Sequence, residues 1–110
     1  MNGLYLELVR IREKPGMYLG KDSLELLHVF ILGYICALNN NGQETEQFLI
    51  KYHNYVLTYY KLEVAAQGWA NLLVEKAENN KDAFQMFFTL LDGYLIETTG
   101  KNLEENANLE

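Results

Sequence analysis

A chain of 110 residues fits one domain that can bury a true core, with little room for a separate cofactor domain. Hydrophobic residues make up 49%, including eight Tyr and five Phe, which excludes a disordered chain. A formal net charge of -6 disfavours direct contact with nucleic-acid phosphates or anionic lipid and suits a basic protein partner.

Leu4, Leu8 and Ile11 recur at helical spacing, with Tyr5 and Val9 beside them. They predict a short first helix that stops at Lys14-Pro15-Gly16, because proline disfavours helical geometry in its predecessor. Asp22, with Glu25 after it, reads as a capping-box-like start to a second helix. The apolar stripe of that helix is wide: Leu24, Leu27, Phe30, Ile31, Tyr34, Ile35 and Leu38. The Asn-rich run 39–42, ending in Gly42, is the expected break, and Glu44 or Thr45 opens the next helix. Phe48, Tyr52, Tyr55 and Tyr59 follow as a core stripe; residues 55–60 have strand-like composition, but the spacing favours helix.

Gly68 precedes a shorter fourth helix holding Trp69 as its core anchor, with Leu72, Leu73, Lys76 and Ala77. Asn79-Asn80 is the next break. From about Asp82, the face formed by Ala83, Phe84, Phe87, Phe88, Leu91, Tyr94 and Leu95 runs to Gly100. The expected architecture is all-α, a compact bundle of about five helices in a single domain over 1–100, with a disordered polar tail over 101–110. Gly33 and Gly93 lie inside two long helices, where glycine costs about 1 kcal/mol relative to alanine. Close helix crossing is the expected compensation at both.

The apolar run 29–38 is shorter than the roughly 20 residues of a membrane span, and Gly33 and Tyr34 interrupt it. Glu7, Arg10, Arg12 and Glu13 mix charge into the N-terminal segment, unlike the ordered regions of a signal peptide, so the expected location is the cytoplasm. The single cysteine, Cys36, sits in an apolar run and is expected to be an inert buried thiol.

The segment Gly20-Lys21-Asp22 invites comparison with a phosphate-binding loop, but Pro15 occupies the place of its first glycine and Asp22 replaces the magnesium-binding hydroxyl. His28 and His53 lie in different helices without the spacing of metal ligands, and neither has a nucleophile to serve. Glu44 and Glu46 point in different directions on a helix and read as capping and solvent-facing groups. The expectation is therefore no enzyme, with no catalytic, cofactor or metal residues. Function falls to the surface, where Tyr60, Glu63, Glu75, Glu78, Asp92 and Glu97 are the candidate partner-binding residues, as a tyrosine and carboxylates at helix edges.

Two resemblances bear on this. The segment Arg12-Glu-Lys-Pro-Gly-Met-Tyr-Leu-Gly20 resembles the Arg-Pro-Gly-Met-Tyr-Ile-Gly segment of type II topoisomerase ATPases, where the following helix carries a Glu, an Asp and an Asn that activate water and hold magnesium. Ile31, Tyr34 and Ile35 occupy the equivalent places here, and a Gly-rich ATP lid is missing, so that chemistry does not carry over.

The broader pattern adds Ser23-Leu24, Leu27, Phe30-Ile31, Gly33-Tyr34, Phe48, Gly68-Trp69 and Ala83-Phe84 through Phe87-Phe88 and Leu91. It resembles a family of small helical bacterial proteins with relatives among contact-dependent or polymorphic-toxin immunity proteins. The likeness spans about residues 8 to 96, and only the Pro-Gly-Met-Tyr-Leu-Gly stretch is tightly specific; Lys14 stands where the pattern more often has Arg. It implies a protein that neutralises a cognate toxin, a nuclease for example, by covering its basic active site. The matching residues are apolar or turn-forming and carry over no partner contacts. The alternative is a structural or regulatory helical adaptor, including a homodimer.

Overall fold

The computed structural model describes residues 2–38, 43–64 and 67–108. Leu4, Leu8 and Ile11, one turn apart on α1 (Asn2–Glu13), are buried as their spacing predicts. Proline then begins a helix as well as ending one. Lys14 is non-helical at φ -137°, which satisfies the restriction on a residue before proline, and Pro15 opens the single turn of α2 (Pro15–Leu19). Gly20 closes that turn at φ 90° by donating its N–H to the Gly16 carbonyl. The stop expected at Lys14-Pro15-Gly16 is thus followed directly by a short helix. Leu19 packs against the core while Met17 and Tyr18 are exposed.

Helix α3 (Leu24–Leu38) is capped by Ser23 rather than Asp22: the Ser23 hydroxyl accepts the Leu26 N–H at 3.3 Å. The break expected at 39–42 lies outside the described residues. Helix α4 (Gln43–Tyr59) runs through the stretch whose composition suits a strand. It ends at Lys61, held at φ 59°, with the Leu62 N–H reaching back to the Leu57 carbonyl at 2.9 Å. The tyrosines divide along this helix: Tyr52 is buried, Tyr55 is half-buried and Tyr59 is 52% exposed.

Helix α5 (Trp69–Lys76) buries Trp69, Ala70, Leu72 and Leu73. Helix α6 (Asn80–Thr99) starts two residues before Asp82 because Asn79 is its N-cap, accepting the Asp82 N–H at 2.9 Å. It ends at Gly100, φ 80°. The tail expected to be frayed instead carries α7 (Leu103–Ala107). Asn102 and Glu105 form a reciprocal capping box, and Leu103, Asn106 and Ala107 are buried as α7 packs on α1 and α6. Polar composition misleads here because the polar residues satisfy helix ends while one leucine supplies the core contact.

Among the described residues the result is an all-α bundle of five helices with eight to 20 residues and two of five residues. Helix α6 contacts α3, α4, α5 and α7, and its Phe87 meets the aromatic centre of the core. There Tyr52 is edge-on to Trp69 at 5.4 Å and to Phe87 at 5.3 Å, and its hydroxyl donates to the Phe87 carbonyl at 3.0 Å. That bond removes the cost of an unsatisfied buried phenol. Burial drives the Tyr52 pKa well above the ordinary tyrosine value, with Tyr60 and Tyr55 adding to it. Among the described residues no helix is long and apolar enough to cross a membrane.

Candidate functional site

Tyr60, just beyond the end of α4, meets α5 and α6 across an open groove of about 420 Å³. Leu73, Ala77 and Met86 supply its apolar lining; Tyr60, Glu78 and Asp82 bring a phenol and two carboxylates to it. Lys76 places its ammonium 5.7 Å from the centre of the Tyr60 ring, a cation–π contact that orients the phenol. Burial, then the neighbouring Tyr59, raises the Tyr60 pKa, so this hydroxyl stays a neutral donor near neutrality. The groove offers directional hydrogen bonds and net negative charge around a small apolar surface. Those are means of recognition.

Of the six residues expected to bind a partner, Tyr60 and Glu78 meet in this groove. Glu75 is exposed on α5 and accepts a hydrogen bond from the Gln67 side chain; Glu63 is exposed just beyond Tyr60 in the chain. Glu97 lies apart, in a second groove of about 400 Å³ between α4 and α6 that also holds Tyr55, Tyr59 and Tyr94. Its charge helps raise the Tyr55 pKa, after the larger effect of burial. Asp92 is engaged inside the fold: one carboxylate oxygen accepts Arg12 Nη1 at 2.8 Å and the other accepts the Leu103 N–H at 2.9 Å. Asp92 therefore ties α6 to α1 and α7.

Asp82 is the carboxylate that sequence reasoning read only as a helix start. Met86 and Gln85, which share the groove with it, follow at helical spacing from Asp82, and that spacing was the available signal. Comparison with protein-family models, curated proteins and solved structures finds no match.

The remaining candidates for chemistry are scattered. Cys36 is exposed, contrary to its expected burial, because α3 is apolar on all sides and turns Cys36 away from Leu24, Leu27 and Ile31. His28 packs edge-on against Trp69 at 5.2 Å, and burial lowers its pKa. Among the described residues no three His, Cys, Asp or Glu side chains form a group able to hold a metal ion.

Proposed function

We propose that this chain is a non-catalytic, immunity-type inhibitor that neutralises a cognate bacterial toxin in the cytoplasm by covering a basic active site, such as that of a nuclease. The observation that carries the reading is the convergence of Tyr60, Glu78 and Asp82 on one open groove of an acidic chain. Opposite charge across an interface speeds encounter and suppresses wrong partners, while a half-buried tyrosine supplies a rigid anchor at small entropic cost. Glu63 and Glu75 extend the negative surface in the adjacent chain segments, and Glu97 forms a separate rim on the α4–α6 side. The resemblance of segment 15–20 and the following helices to small helical bacterial proteins with relatives among immunity proteins supports the same assignment.

The test is co-expression with the product of the neighbouring gene as candidate toxin, followed by purification of the complex. A salt-sensitive complex is expected, with affinity lowered at least about tenfold by Glu78→Lys with Asp82→Lys, the scale of losing one good charged contact. Protection of cells without a complex overturns the proposal.

A further inference from the structure

Helix α3 buries Leu24, Leu27 and Ile31 on one side, yet its opposite side is also apolar. Leu26 and Val29 are 37% and 65% exposed, and Gly33 and Cys36 are exposed too. These four recur at alternating three- and four-residue steps, the seam of a two-helix coiled coil. From Leu26 to Leu38 there is no Asp, Glu, Lys or Arg.

That absence selects the partner. A basic protein finds no carboxylate on this stripe, whereas two copies of a chain with net charge -6 can approach here without opposing like charges. The stripe is also self-complementary in shape. Of the four seam residues the large ones, Leu26 and Val29, occupy the first half and the small ones, Gly33 and Cys36, the second, with the exposed Leu32 flanking the seam. In an antiparallel pair with the two-fold axis at the level of residue 31, Val29 faces Gly33 of the other copy and Leu26 faces Cys36.

Among the described residues nothing lies within 4 Å of the place a Cβ on Gly33 would take, so the cost of glycine in mid-helix has no packing return from them. A valine from the second copy would fill that place. The antiparallel arrangement also puts the two Glu25 side chains at opposite ends, where a parallel one sets them side by side.

The geometry points to an antiparallel homodimer formed through the outer face of α3, with Val29 of each copy seated at Gly33 of the other. A seam of four residues on one helix is a small contact, so the dimer is concentration-dependent. The groove at Tyr60 is built from other elements, so toxin binding and self-association stand or fall separately.

Sedimentation over a range of concentrations is expected to show a monomer–dimer equilibrium that persists in high salt and shifts to monomer in Val29→Glu. Covalent trapping tests the register independently of that substitution. Residues 26 and 36 of one helix are about 15 Å apart along its axis, too far to be bridged internally. Oxidised Leu26→Cys is expected to give a dimer linked 26 to 36 between copies, identified by peptide mapping, while Cys36 alone does not cross-link at the same concentration. A chain monomeric at every concentration, a dimer unaffected by Val29→Glu, or trapping only as 36 to 36 overturns the inference.

Discussion

Tyr55 and Gly93 fit together where α4 meets α6: a Cβ on Gly93 would lie 2.6 Å from the Tyr55 hydroxyl oxygen. Glycine here leaves room for a phenol at the cost of helix propensity. Gly93→Ala alone is expected to be near neutral, since the propensity gain of about 1 kcal/mol is offset by displacing the Tyr55 side chain. In a Tyr55→Phe background the hydroxyl is gone and the next ring atom lies at an ordinary 3.5 Å. There the alanine should stabilise by about 1 kcal/mol. Urea unfolding of the four chains of this double-mutant cycle measures the difference; equal effects in both backgrounds would remove the steric account.

Asp92 serves two helices with its two oxygens, so its removal should cost more than removal of its exposed partner. Asp92→Ala leaves the Leu103 N–H without its acceptor and is expected to cost about 2 kcal/mol. Arg12→Ala removes a 2.8 Å ion pair and a cation–π contact with Phe88 at 5.3 Å, both at a side chain 44% exposed. Its cost should stay near 1 kcal/mol or below. The reverse order in urea titrations would mean that the ion pair, rather than the α7 contact, governs stability here.

Much of this fold can be read from apolar spacing. Leu4, Leu8 and Ile11, then Trp69 with Leu72 and Leu73, then the face from Ala83 to Leu95, each mark a helix and the side it buries. Where the spacing carries no phase, the reading fails. Helix α3 is apolar around its circumference, so nothing local distinguishes buried Leu27 from exposed Val29, or predicts an exposed Cys36. The two Gly-Tyr pairs look alike in sequence, yet Gly93 is crowded from across the bundle, whereas Gly33 meets nothing within 4 Å among the described residues. In the groove, Tyr60 and Glu78 are separated by all of α5, and only the return of that helix brings them together. Asp92 reads as a surface acid because its partners lie on other helices, Arg12 far back in the chain and Leu103 on the next helix.

Helix α7 makes a sharper test of what polar composition hides. Leu103 is buried completely, and α7 packs on the same helix α1 that buries Leu4 and Leu8. Leu103→Ala is expected to cost about 3 kcal/mol, the usual scale for a core leucine. Disruption of the cap by Asn102→Ala should cost about 1 kcal/mol. Thermal unfolding of both variants reads these effects; a Leu103→Ala chain as stable as the parent would return residues 103–107 to the status of a frayed tail.

His28 gives the fold a pH dependence whose sign follows from its position against Trp69. Burial lowers the folded-state pKa beneath the ordinary 6.5, so between the two values the unfolded chain binds more protons than the folded one. Stability from this group is therefore complete above about pH 6.5, declines as pH falls through the lowered folded-state pKa, and levels off below it. His28→Phe keeps a ring beside Trp69 but cannot be protonated. The urea midpoint of the parent chain should drop between about pH 7.5 and pH 5, and that drop should shrink in the variant. An identical drop in both chains would place the titrating group elsewhere and leave His28 as a packing residue only.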